Sequence, residues 1–332
     1  MSLVTPSNIA AAASLAFIAA VDEQSKLPEI KKAIEDDLGK IVPEAGGPWS
    51  LEWGPALNHG ILAYVALSAD KTQYALAIRG SLANWDIHGF FRNWFDDLDA
   101  FKQVPWHYSR IARIEGARIA YGTNDALSLL IGLLDPDTDV HLLDYLRSTF
   151  QNSGENLIVT GHSLGGCLTT VGAAWLHKQL PNVNITPFAF APPTAGNQVF
   201  AKYYNCIFPD AYCCVNTWDI VPMAYENLAR IQEVYPAPSQ TLWQFSPILG
   251  GIVETAKVLL EIKNMNYSQI EITDPFKGDL GMPPSELRRS LPIGYFTEVK
   301  YQHIDAYLLY LESKYGINIV TSQAIRELIT DL

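Results

Sequence analysis

The chain is expected to fold as an α/β protein with an open, mostly parallel central sheet covered by helices on both faces. Two observations predict this. Short apolar, β-branched runs alternate with long helical patterns along 332 residues, and parallel strands joined by helices need cover on both sides of the sheet. One of these junctions, Asn156 to Leu180, reads as strand, tight glycine turn and helix in direct succession. The composition agrees: 48% hydrophobic and 17% charged residues are enough to bury a large core and too apolar for a disordered chain.

Taken in order, Ile9 to Val21 is a 13-residue apolar stretch, too short to span a bilayer. Its first basic residue, Lys26, follows it, so the positive start of a secretory signal is missing. The stretch is predicted to be a helix with Ser7 as its N-cap. This leaves localisation open between cytoplasmic and secreted. Strands are predicted at 61–68, 73–78, 157–160, 185–190, 212–217 and 295–301, from their short apolar runs. Helices are predicted at 28–38, 114–134, 141–150, 167–180, 197–204, 248–262, 307–311 and 324–329.

No repeat, low-complexity tract or Pro/Gly-rich linker divides the chain. Residues 1–332 are therefore read as one domain, with insertions near 82–105 and 223–294. The first insertion carries Trp85, Phe90, Phe91, Trp94, Phe95 and Phe101 beside Asp86, Asp96, Asp97 and Asp99. Such an apolar segment suits acyl chains or a lipid–water interface as well as it suits packing under a loop. Trp85, Phe90, Phe91 and Trp94 are the candidate lid and substrate contacts. Helix 248–262, with Ile252, Thr255, Ala256, Leu259 and Leu260 along one side, is the rival lid.

A net charge of −12 argues against nucleic acid as a partner and against general attraction to anionic membranes. The four cysteines, Cys167, Cys206, Cys213 and Cys214, lack metal-ligand spacing and read as buried free thiols. Oligomeric state is not legible in the residues.

The chemistry is carried by Gly161-His162-Ser163-Leu164-Gly165, followed by Gly166. A G-x-S-x-G turn between a buried strand and a helix lifts a serine hydroxyl above the sheet, aimed at the free N–H groups of the helix N-terminus. Side chains at 161 and 165 would collide with the flanking elements. Ser163 is the candidate nucleophile.

A serine needs a base, and the base needs an orienting carboxylate. On this architecture the acid and then the histidine follow the serine in the chain. Of seven histidines, His59, His88, His107 and His141 precede the serine. His162 leaves the turn in another direction, and His177 lies inside the following helix. His303 remains as the base. Asp219 follows the 212–217 run, at the strand end where ligands bind in such sheets, and is the candidate acid; Asp274 is held in reserve. The oxyanion of a tetrahedral intermediate needs two N–H donors. Leu164 supplies one, and Ser81, in the turn after 73–78, the other.

Together these residues resemble the class 3 lipases, the fungal-type triacylglycerol lipase family of the α/β-hydrolase fold. Arg79-Gly80-Ser81 with Asn84-Trp85 is similar to the family's oxyanion strand and loop, and Thr160 to Gly166 to its elbow. Phe190-Ala191-Pro192-Pro193 with Gly196-Asn197 resembles its proline loop, Asn216 to Pro222 its acid loop, and His303 with Tyr307 its histidine helix. Three departures fall outside the triad. Ala191 stands where the family has glycine, Arg118-Ile-Ala-Tyr121 replaces its H-x-G-F helix start, and the Asp219-to-His303 interval is long. The resemblance implies Ser163, Asp219 and His303 as triad and Ser81 with Leu164 as oxyanion hole. It implies hydrolysis of carboxylic esters without metal or organic cofactor. The substrate class stays open among acylglycerols, phospholipids cleaved at the first acyl position and aryl-carboxylate esters. A silent binding scaffold is the rival from another class.

Overall fold

The computed structural model describes residues 3–21, 25–79, 102–109, 114–151, 156–231, 234–235, 247–263, 265–280 and 293–330. Seven strands form its main sheet in the order β1 (Ser50–Asn58), β2 (Ile61–Leu67), β3 (Tyr74–Ile78), β6 (Asn156–His162), β7 (Asn184–Phe190), β8 (Tyr212–Asn216) and β9 (Asp274–Phe276). The pairs from β3 to β9 are all parallel, and β1 and β2 extend the sheet as an antiparallel hairpin. A separate ribbon pairs β4 (Gln103–Pro105) with β5 (Arg118–Ala120).

The hairpin turns at His59 and Gly60, both at positive φ (44° and 84°), the backbone that a two-residue turn between twisted strands requires. β1 escapes the sequence reading because Gly54-Pro55 interrupts it; the pairing shifts register between Trp53 and Ala56 there, the bulge that lets a proline sit in an edge strand.

Alternation along the central strands sorts the core into two layers. Tyr64, Ala77, Ile158, Phe190 and Cys214 point to one face, where they meet α1 (Pro6–Ile18), α2 (Leu27–Leu38), α10 (Asp305–Tyr315) and α11 (Gln323–Thr330). Val65, Leu76, Val159 and Cys213 point to the other, covered by α3 (Tyr121–Ile131), α4 (Leu142–Thr149), α5 (Leu164–Gln179) and α6 (Gln198–Ile207). A third apolar cluster forms beyond the C-terminal strand ends, between α7 (Leu228–Ile231), α8 (Pro247–Ile262) and α9 (Ile293–His303). Among the described residues, the stretch 223–294 holds α7, α8 and the start of α9, and it also gives β9 to the main sheet.

The N-terminal apolar stretch is a core helix. Ala10 to Ala13 are buried and bring α1 close under β6, where Thr160 Oγ1 donates to the Ala12 carbonyl at 2.9 Å. Its cap is Thr5, whose hydroxyl accepts from the Asn8 amide; the expected cap, Ser7, donates instead to the Glu44 carbonyl.

Two element predictions are corrected. Residues 295–301 lie in helix α9, because the sheet edge beside β8 is taken by the short β9. Their alternation of Thr297, Val299 and Tyr301 reflects a helix buried on more than one side: Val299 joins the third cluster while Tyr301 packs in the first. The predicted helix 114–134 begins only at Tyr121, since 118–120 is spent on β5. Among the described residues, no helix is long and apolar enough to cross a membrane.

Candidate active site

β6 delivers its last residues to the C-terminal edge of the sheet. The chain then reverses at Ser163, which adopts φ 60° and ψ −127°, a strained backbone that non-glycine residues keep only when the surroundings impose it. The Ser163 amide donates to the Phe190 carbonyl of β7 at 2.9 Å. A Cβ at Gly161 would lie 2.3 Å from the Gly165 carbonyl oxygen and 2.8 Å from that of Ile78; one at Gly166 would lie 2.8 Å from that of Phe190. Helix α5 must therefore start in contact with two strands, and glycine alone permits it. The first intrahelical bond of α5 runs from the Cys167 amide to the Ser163 carbonyl at 3.1 Å. The Leu164 amide precedes it and belongs to the turn whose N–H groups have no helical acceptor.

β8 ends at Asn216, and a tight turn, with the Asp219 amide donating to the Asn216 carbonyl at 3.0 Å, brings Asp219 to the same edge. Its Oδ1 accepts from the Val221 amide at 3.0 Å, and its Oδ2 accepts from Tyr307 Oη–H at 3.0 Å. Oδ2 also lies 2.8 Å from His303 Nδ1. His303 is the last residue of α9 and is 1% exposed, and the Asp219 side chain is fully buried. With the Nδ1 proton committed to Asp219, the lone pair of the neutral imidazole is on Nε2, the nitrogen that a general base uses. Burial, and next the charge of Asp219, push the Tyr307 hydroxyl well above its ordinary pKa, so it remains a donor to the carboxylate.

The sequence reading missed His162. Its ring packs against those of Phe17 and His303, with centroids 4.7 and 4.5 Å away, and its Nε2 lies 2.8 Å from the His303 carbonyl oxygen. Burial, followed by the neighbouring charge of His303, pushes its pKa well below 6.5. It stays neutral and donates Nε2–H to that carbonyl. The signal was in the strand alternation: Ile158, Thr160 and His162 share the face that α1 and α10 cover.

The reserve acid, Asp274, is placed elsewhere. It starts β9, and its carboxylate accepts from Tyr212, from Tyr310 Oη at 2.6 Å and from Lys314 Nζ at 2.6 Å. Burial works to raise its pKa, but these donors outweigh it and hold the carboxyl below the ordinary range. It pins the end of α10 to the sheet edge.

Ser81 and the lid candidates Trp85, Phe90, Phe91 and Trp94 lie outside the described residues. The rival lid, α8, buries Val253, Ala256 and Leu260 in a cluster that also holds Ile220 and Met223, just after Asp219, with Leu164 packed against it. Thr255, placed on the apolar side by the sequence reading, is exposed, and Val258 is 41% exposed. Three of the cysteines are buried; Cys206 is exposed.

Comparison with known proteins agrees with this architecture. The family described as lipase (class 3) matches residues 75–228. The secreted mono- and diacylglycerol lipase 3 of Gibberella zeae is 32% identical over 110 residues, and the match spans about a third of that relative's length (32%) and 32% of this chain. The crystal structure of M37 lipase superposes with a TM-score of 0.80 at 24% identity, over 98% of this chain and 99% of its own. The serine turn between β6 and α5 falls inside the matched segment, on a sheet of the same build. The chain has the α/β-hydrolase fold, and its residues 75–228 match the class 3 lipase family.

Proposed function

We propose that the protein is a serine carboxylic-ester hydrolase acting on acylglycerols. The observation that carries the reading is the buried 2.8 Å contact of His303 Nδ1 with Asp219 Oδ2, at the sheet edge where Ser163 is held at positive φ. The match of residues 75–228 to the class 3 lipase family supports it.

In this reading His303 Nε2 takes the Ser163 proton as the hydroxyl attacks the ester carbonyl. Asp219, itself steadied by Tyr307 and the Val221 amide, holds the imidazole tautomer and stabilises the imidazolium. The developing oxyanion is met by the Leu164 amide and by Ser81, donors of a kind often worth ~3 kcal/mol each in the transition state. His303 then protonates the leaving alcohol, and the acyl-enzyme is released by water activated at the same nitrogen. The acyl chain lies against the apolar cluster beside Leu164, formed by Ile220, Met223, Val253 and Val299.

A fluorophosphonate probe tests the chemistry, with mass spectrometry to locate the label. Labelling at Ser163 is expected; its absence would leave a silent scaffold. A series of p-nitrophenyl esters, glycerides, phospholipids and feruloyl esters tests the substrate class. Preference for glycerides is expected, and preference for phospholipid or aryl esters would replace the acylglycerol assignment.

A further inference from the structure

Two buried amides lie between the acid and the base, and no role in the reading above uses them. Asn216 closes β8 three residues before Asp219, and Gln302 is the residue before His303. Both are fully buried. The Asn216 carboxamide spends every donor and acceptor it has. Its Oδ1 accepts from the Trp218 amide at 3.1 Å and from the Gly278 amide at 3.0 Å. Its Nδ2 donates to the Gln302 carbonyl at 2.9 Å and to Gln302 Oε1 at 2.6 Å. Gln302 in turn donates through Nε2 to the Asp279 carbonyl at 2.8 Å and to Glu298 Oε1 at 2.7 Å. The space is filled: a Cβ at Gly278 would sit 2.4 Å from Gln302 Oε1, 3.0 Å from Asn216 Nδ2 and 3.1 Å from Ala306 Cβ.

The network therefore has one arm on the turn that carries Asp219, one on the helix end that carries His303, and a third on the loop after β9. The two catalytic candidates are 84 residues apart in the chain, and the strand end and helix end that carry them share no backbone ladder. A doubly bonded, fully satisfied amide pair at low dielectric is a rigid connection, and a half-satisfied one is costly. We propose that Asn216 and Gln302 form a clasp that sets the Asp219–His303 separation, and so act as positioning residues for ester hydrolysis. The proposal rests on the assignment of Asp219 and His303 given above.

Its chemical consequence is specific. Loosening the clasp misplaces the base, with turnover falling while substrate contacts stay.

The test uses Asn216→Asp, which keeps the shape and both acceptor bonds but turns the two donor contacts into repulsions. Gln302→Met keeps side-chain length and removes the amide, and it stands in should the first variant fail to fold. Each is compared with wild type on a soluble ester for kcat and KM. The expected result is a kcat about 10- to 100-fold lower, in line with the cost of misplacing a reacting group by about 1 Å. KM should stay within about twofold. In an Asp219→Asn background the same changes should cost little more, because the contact they position is already lost.

Folded variants with wild-type kcat, or a loss that multiplies fully with Asp219→Asn, would overturn the clasp. Wild type that neither labels at Ser163 nor hydrolyses esters would overturn the functional assignment, and the clasp with it.

Discussion

Removing the Ser163 hydroxyl is expected to abolish turnover and spare the fold, because the strain at this residue lies in the backbone turn and not in the side chain. Ser163→Ala should lose about 10⁴-fold or more in kcat, and His303→Ala a similar amount, since members of one proton-transfer unit do not act additively. Steady-state kinetics beside circular dichroism check both; a tenth of the activity remaining in Ser163→Ala would move the nucleophile elsewhere. Gly161→Ala tests the turn itself. Its Cβ would meet two backbone carbonyls at 2.3 and 2.8 Å, neither able to swing aside, so about 3 kcal/mol should be lost in urea denaturation.

Asp305, two residues beyond His303, makes the opposite prediction. Its carboxylate oxygens are buried and, among the described residues, meet no hydrogen-bond donor from another residue, and burial pushes its pKa up to about 6, against smaller opposing effects of Lys300 and its own amide. A raised carboxyl binds its proton more tightly in the folded state, so stability falls as pH rises from about 4 to 6 and the full penalty persists above. Asp305→Asn should stabilise the protein at pH 8 by up to about 2 kcal/mol and by much less at pH 4.5. Denaturation midpoints at the two pH values decide it; equal shifts would mean that the charge is not the cause.

Chain order carried the reading at this scale. It singled out Ser163, Asp219 and His303, and the structure brings the last two into hydrogen-bond contact. The support around them was not legible. His162 meets the His303 carbonyl 141 residues away, and Asn216 meets Gln302 86 residues away. Nothing local to a histidine inside an elbow or an asparagine at a strand end announces such partners.

At the scale of the element, α8 is the clearest test of register. Val253 is buried at the centre of the third cluster and Val258 faces outward. Val253→Ala should cost about 1–3 kcal/mol through the cavity it leaves, and Val258→Ala should stay within about 0.5 kcal/mol, as read from denaturation curves. A reversed order would mean that the helix docks by another face. Elements were legible where one period ruled, as in the strands at 61–68 and 185–190 and the helix at 28–38. They failed where a residue serves two layers, as in 295–301, or where one residue breaks the pattern, as Pro55 does in β1. The three-residue strands β4, β5 and β9 are too short to have a period at all.

At the scale of the molecule, the two-sided parallel sheet was legible because its strands alternate with helices long enough to cross it, and that pattern leaves few topologies open. What the alternation did not reveal is how the outermost parts of the described chain are joined. Helix α1 lies under β6 with nearly every side chain buried, and residues near its end bind the segment before α11: Ser14 Oγ accepts from the Val320 amide at 3.0 Å, and Ser322 donates to the Ala20 carbonyl.

This junction sets an order of events during synthesis. Residues 6–18 leave the ribosome before the rest of the described chain, yet the wall that encloses them is finished only when residues 319–322 emerge. For most of translation an Ala-rich apolar helix must wait with an incomplete partner, and contacts of such long sequence separation close slowly. Chains halted near residue 315 should expose the α1 backbone to protease even though the sheet strands are complete, and extension through residue 330 should protect it in a single step.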